Sequence, residues 1–182
     1  MSDSYISIVP EQVEKAKANK LAEKVVNWLI SRKIIKAELT DCTLGNDGHE
    51  PDENFKEVVE DEKYWWFIDL DTNGLEVITE KYVFHNGGNG LEEITCPNCK
   101  TNIIETDWGE AVDEWVKETG LDKVTCPNCQ EARSITEYNF EPAWGFGELG
   151  FTFWNWQELK EDFIKEIEAL LNSKVKLIYG RL

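Results

Sequence analysis

One short phrase occurs twice in this 182-residue chain: Thr95-Cys96-Pro97-Asn98-Cys99 and Thr125-Cys126-Pro127-Asn128-Cys129. Two cysteines separated by two residues can turn both sulfurs toward one ion, and a second such pair completes a tetrahedral thiolate set of the kind zinc prefers. The intervening residues suit a tight turn, since proline fixes φ and asparagine tolerates left-handed backbone. The repeat therefore predicts a metal site, and it ties two distant stretches of chain to one point.

These turns resemble those of the zinc-ribbon and zinc-knuckle families, in which two Cys-Pro-x-Cys turns from separate hairpins grip one zinc ion. The resemblance covers residues 94–133 and no more. It implies Cys96, Cys99, Cys126 and Cys129 as the ligands of a structural Zn2+. The commonest form of the motif has glycine after the second cysteine of each pair, where this chain has Lys100 and Gln130. Rubredoxin-like iron sites use a similar spacing, so iron is the alternative metal, and a pair of disulfides is a further reading.

Charge bears on what such a module could bind. The chain carries a net −17. From Glu92 to Tyr138 four basic residues, Lys100, Lys117, Lys123 and Arg133, face eleven acidic ones, a local net charge of −7. Nucleic-acid binding relies on lysine and arginine to neutralise phosphates, so this composition argues against it. An acidic surface aids solubility and can attract a basic protein partner. The opening residues lack a basic start and a long apolar run, and no segment approaches the ~20 apolar residues of a membrane span. With four of five cysteines in metal spacing and Cys42 alone, the expectation is a soluble cytoplasmic protein.

Taken in order, Ser4–Val9 reads as a strand ended by Pro10, with a helix directly after it to about Ser31, then a strand over Ile34–Leu39. Thr40–Asn54 reads as a loop and Glu53–Glu60 as a short helix. In that loop Asp41, Cys42 and His49 could form a thiol nucleophile site, against the plainer reading of a buried thiol and a solvated histidine. Asp69, Asp71, Asn73, Gly74 and Glu80 match the calcium-loop pattern. Its flanks, Tyr64–Ile68 and Val77–Phe84, are strand-like rather than helical, so Asn73-Gly74 reads instead as a hairpin turn and Ca2+ is disfavoured.

His85–Gly90 reads as a hinge without the grammar of a phosphate loop. A helix over Asp107–Thr119 would give the module a small core built around Trp108 and Trp115. Residues 138–156 hold eight aromatics, as core or as a cleft, with Glu141, Glu148 and His85 as the polar groups of any such cleft. Asn155 reads as the N-cap of the last helix, followed by a strand over Val175–Tyr179.

Both ends thus read strand, helix, strand. This predicts an α+β fold, ferredoxin-like or related, whose sheet comes from two β-α-β units with both helices on one face. An extra hairpin over residues 65–84 would extend the sheet. The domain reading is residues 1–90 and 139–182 as the two parts of the α+β domain, with residues 91–138 inserted as the metal module. For function it supports a non-enzymatic protein-interaction domain with a structural zinc. The alternatives are a small-molecule or peptide binder or enzyme using the aromatic cleft, and an acidic neutraliser of a basic partner.

Overall fold

The computed structural model describes residues 2–60 and 70–182. It is a mixed α+β structure whose largest element is a six-stranded sheet. Its strands are β1 (Ser4–Pro10), β2 (Ile35–Thr40), β3 (Gly48–Pro51), β4 (Gly74–Ile78), β11 (Gly150–Trp154) and β12 (Val175–Arg181). They lie in the order β12-β1-β11-β4-β3-β2, and every adjacent pair is antiparallel. The two β-α-β segments are therefore both split. Helix α1 (Lys15–Ser31) crosses from β1 to β2 over three intervening strands, and α3 (Glu161–Leu171) links β11 to β12, which flank β1.

Both helices bury one apolar stripe against the same face of the sheet. In α1 it is Ala18, Ala22, Val25 and Leu29, and in α3 it is Phe163, Ile167 and Leu171, spacings that keep side chains on one side of a helix. They pack on Ile6 and Ile8 of β1, Leu75 of β4, and Phe151 and Phe153 of β11, which alternate along their strands. Asn172, in left-handed conformation at φ 51°, ends α3, and the Ser173 amide bonds back to the Glu168 carbonyl at 3.2 Å.

The opposite face is covered in part by a small sheet of β5 (Tyr82–Phe84) and β10 (Gly145–Gly147). Here Phe84 seats with Val9, Ile78 and Ile178. Gly150 makes room for it, since a Cβ at that position would lie 2.2 Å from the Phe84 ring. The remaining elements are β6 (Glu93–Thr95), α2 (Trp108–Val116), β7 (Lys123–Thr125), β8 (Ala132–Ser134) and β9 (Asn139–Glu141), with pairings β6–β9 and β7–β8. No helix among the described residues is long and apolar enough to cross a membrane.

Several local expectations are corrected. Pro10 is the last residue of β1, paired with Val175, and α1 starts only at Lys15. The stretch read as a loop contains β3, whose His49 is buried and whose Nδ1 bonds the Lys36 carbonyl oxygen at 2.9 Å. The short helix before residue 60 is a 3-10 turn over Phe55–Val58. The supposed continuous strand over Val77–Phe84 breaks at Thr79, Glu80 and Lys81, so that β4 and β5 belong to different sheets. Asn73-Gly74 is not a turn tip, because Gly74 pairs with Trp154 inside the sheet and Asn73 Nδ2 donates to the Trp154 carbonyl at 3.2 Å. The other arm of that hairpin, Tyr64–Ile68, and the calcium-loop residue Asp69 lie outside the described residues.

Asn155 is not an N-cap either, since α3 begins six residues later. Its backbone is left-handed at φ 54°. Its side chain ties the start of β1 to the residues leading into β4, accepting from the Ser4 amide at 2.8 Å and donating to the Thr72 carbonyl at 2.8 Å and Asp3 Oδ1 at 2.7 Å.

Candidate metal centre

The two Cys-Pro-Asn-Cys turns adopt the same backbone. In the first, the Cys96 amide donates to the Thr101 carbonyl at 2.9 Å and the Lys100 amide to the Cys96 carbonyl at 3.0 Å. In the second, Cys126 pairs with Glu131 and Gln130 with Cys126, both at 3.0 Å. Each turn rises from a short antiparallel pairing: Thr95 bridges Asn102 beside the first, and β7–β8 flanks the second. Lys100 and Gln130 have φ of 61° and 60°. The geometry glycine supplies in the commoner motif is thus kept with side chains that bear its strain. Because left-handed backbone costs a non-glycine residue ~1 kcal/mol, partly offset by the greater freedom of glycine when unfolded, Lys100→Gly and Gln130→Gly are each expected to raise stability by about 0.5 kcal/mol. Denaturant midpoints of the metal-loaded protein check this, and Lys100→Val should lower the same midpoint.

The four sulfurs converge. Every pair of Sγ atoms lies within 4.8 Å, with Cys96 to Cys129 at 3.8 Å and Cys99 to Cys126 at 3.5 Å. An ion with four thiolate bonds of about 2.3 Å in a tetrahedron holds its sulfurs about 3.8 Å apart, so the set fits one such ion. Cys96 and Cys126 are fully buried, and Cys99 and Cys129 are partly exposed. All five cysteines are free thiols, which leaves the disulfide reading without support in the structure.

The surroundings favour thiolates unevenly. Hydrogen bonds from the side chains of Thr101 and Asn128 hold the Cys99 thiol down at about 5, and the Glu131 backbone amide lowers Cys129. The Cys129 amide also pulls on Cys126, but burial and the adjacent Cys99 and Cys129 sulfurs outweigh it and that thiol stands at about 11. The outer cysteine of each turn thus offers a ready thiolate, while Cys126 needs a cation to give up its proton. Behind the sulfurs, Tyr138 is buried and donates to the Val124 carbonyl at 2.9 Å, and burial with the nearby thiols pushes its hydroxyl up to about 12.

The cysteines belong to a separate apolar cluster whose buried members include Ile94, Ile103, Val124, Ile135, Tyr138 and Phe140. Trp108 and Trp115, expected at its centre, are partly buried at its margin. Trp108 Nε1 donates to the Ile104 carbonyl at 3.1 Å, and Trp115 meets Phe146 edge-on at 5.3 Å with Lys81 Nζ 4.3 Å from its ring centre. Those last contacts join the cluster to the β5–β10 sheet.

The other candidate residues fare differently. Cys42 is buried, which pushes its thiol up, away from the reactivity of a nucleophile, while Asp41 is exposed and His49 is engaged with Lys36. The aromatic segment is mostly packed interior: Phe151 and Phe153 are fully buried, Trp154 and Trp156 nearly so, and Trp144 stacks on Phe140 at 5.1 Å. Glu141 is exposed at the end of β9, opposite Glu93. Glu148 sits between β10 and β11.

His85, read as part of a hinge, lines a cavity together with Glu76 and Trp154. Glu76 went unremarked as a functional residue in the sequence, its only signal being an acid in the middle of the apolar run Leu75–Ile78. Asp71 and Glu80 are exposed and separated by β4, so the described part of the calcium pattern does not converge.

No protein-family model, no curated protein and no solved structure matches the chain. The functional reading rests on the site itself.

Proposed function

We propose that Cys96, Cys99, Cys126 and Cys129 hold one structural zinc ion, and that residues 91–138 form an inserted module whose acidic face docks a basic protein partner. The observation that carries the metal assignment is the convergence of four thiol sulfurs from two identical turns. An all-sulfur tetrahedral set favours zinc, with iron as the competing metal. Four protein ligands leave no position for water or substrate, so the ion shapes the module and takes no part in a reaction. The free thiols suit a reducing, cytoplasmic setting. We read the main sheet as an enlarged ferredoxin-like layer, a reading supported by the split β-α-β segments, with β3 and β4 added between β11 and β2.

The docking face we assign lies between α2 and β7. A groove of about 690 Å³ there is lined by four acids, Asp107, Glu110, Asp113 and Glu114, and two lysines, Lys117 and Lys123, with Leu121 in its wall 72% exposed. Four carboxylates against two lysines leave the groove net acidic around an exposed apolar side chain, which suits a lysine- or arginine-rich segment carrying one apolar anchor.

Native mass spectrometry with elemental analysis tests the metal: one zinc per chain is expected from protein made under reducing conditions, and metal-free protein with four free thiols would refute the assignment. Acid should release the ion, since protons compete for the thiolates as pH falls. For the partner, an octalysine peptide is expected to shift α2 amide resonances, weakening as salt rises toward a Debye length of about 8 Å. Shifts confined to other surfaces would refute the docking face.

A further inference from the structure

The sheet face turned away from the helices contains a buried polar row. Ser7 of β1, Thr152 of β11 and Glu76 of β4 stand directly opposite one another across three adjacent strands. None is more than 4% exposed. The Ser7 and Thr152 hydroxyls bond each other at 2.8 Å. Glu76 Oε1 accepts from the Asn46 amide at 2.9 Å and Asn46 Nδ2 at 3.0 Å, and its Oε2 accepts from Trp154 Nε1 at 2.9 Å. Both oxygens are thus met by N–H donors, yet no lysine or arginine among the described residues forms an ion pair with this carboxylate.

Sheet packing alone does not require such a group. Two residues further along the same strands, this face carries Val9 and Ile78 in apolar contact with Phe84. A carboxylate taken out of water without a counter-cation is costly, and replacing it by an apolar side chain would remove that cost.

Beside Glu76 lies a cavity of about 250 Å³. Its other walls are largely aromatic: Tyr5 and Trp154, with ring centres 4.8 Å apart, and Tyr82 and Phe84, 4.9 Å apart. Tyr82 is 43% exposed and stands at the mouth. His85 supplies no competing charge, because burial lowers its imidazole below the ordinary value, and its Nδ1 accepts the Gly87 amide at 3.1 Å. Burial raises the Tyr82 hydroxyl above its ordinary value, with the Glu76 and Glu80 carboxylates adding to the rise.

We propose that this cavity binds a small organic ammonium ion, with its charged nitrogen toward Glu76 and its carbon substituents against the rings of Tyr5, Tyr82 and Trp154. A carboxylate at the wall repels anions. A neutral apolar ligand would leave the buried charge uncompensated. The Ser7 and Thr152 hydroxyls bond each other and the Glu76 oxygens are held by Asn46 and Trp154. Glu76 is thus the one carboxylate side chain among the described residues of the wall, which is too few for a hard metal cation, whereas the ring faces attract an alkylated ammonium. The cavity volume limits the ligand to a few carbons around the nitrogen.

The test uses the full metal-loaded chain labelled at tryptophan indole nitrogens, with choline and its uncharged isostere 3,3-dimethylbutan-1-ol as probes and n-butylammonium as the primary-amine arm. A saturable shift of the Trp154 indole signal is expected with choline or n-butylammonium, at least about tenfold tighter than with the alcohol. Glu76→Gln should weaken that binding about tenfold. Because Glu76 is buried, Tyr82→Ala at the exposed mouth provides an independent variant, expected to weaken it about threefold. An equal response to the alcohol, or no saturable response to either ammonium ion, overturns the proposal. So does full affinity in both variants.

Discussion

Cys126→Ser is expected to abolish metal binding and unfold residues 91–138 while leaving the six-stranded sheet intact. Cys126 is fully buried, so the serine hydroxyl would neither supply a soft ligand nor reach water. Structural zinc contributes on the order of 10–16 kcal/mol in small metal-dependent modules, comparable with all the apolar burial such a cluster supplies. The module's own cluster has only nine buried residues, two of them ligand cysteines. Elemental analysis should fall from one zinc to none, and the fluorescence of Trp108 and Trp144 should shift to the red. Amide exchange should accelerate in β6, β7, β8 and α2 and remain slow in β1 and β11. Retained metal, or equal loss of protection in the sheet, would contradict the assignment of a separate metal-fastened module. Removing zinc from the unaltered protein with a chelator should reproduce the same pattern.

Phe153→Ala is expected to be the most damaging single change in the main body. Phe153 is fully buried between the sheet and the helices, meeting Trp156 edge-on at 5.2 Å and Phe163 at 6.1 Å. Truncating such a ring removes its transfer free energy and leaves a cavity that neighbours on three elements cannot close, a cost of about 3–5 kcal/mol. Against a total stability of about 5–15 kcal/mol this is a large fraction. Urea unfolding should show the midpoint falling without a change in slope, and metal content should stay at one zinc per chain. A loss below about 1 kcal/mol would mean that this site repacks freely. Together the two variants separate the chain's two sources of stability: one removes metal and spares the sheet, the other weakens the sheet and spares the metal.

The parts of this molecule visible in its sequence are those whose determinants lie close together in the chain. The four cysteines declare themselves in two five-residue phrases, and the core-facing stripe of α1 shows as regular spacing of Ala18, Ala22, Val25 and Leu29. What stayed hidden depends on distant partners. Gly48-His49-Glu50-Pro51 has no apolar alternation, and it becomes a strand because β2 and β4 flank it on either side. Asn155 followed by Glu158 satisfies the local pattern of a helix cap, yet Ser4, Asp3 and Thr72 from other parts of the chain claim its side chain. The strand order brings β1 between β11 and β12, a pairing between the two ends of the chain that no local pattern announces.

Glu76 illustrates the same limit at a site. In an alternating strand an acid ordinarily marks the solvent side. Only when β5 and β10 fold over that side does it become an interior carboxylate beside an aromatic wall. The four-cysteine cluster could be located from residue identity and spacing, whereas the cavity required the sheet to be assembled first.

The four-cysteine segment is attached to the six-stranded sheet's side of the molecule through paired strands. Chain leaves the main body just after β5 and returns just before β10, and these two strands are themselves paired, with Phe84 opposite Gly145. Beyond them β6 and β9 continue as a second paired stem, Glu93 opposite Glu141. Cutting out the intervening residues would leave two ends facing each other across one rung of a ladder, a gap that a hairpin turn of about two to five residues can close. Such a junction is a natural splice point: a sequence encoding the four-cysteine unit could be gained, lost or exchanged there with the rungs on the body side unbroken.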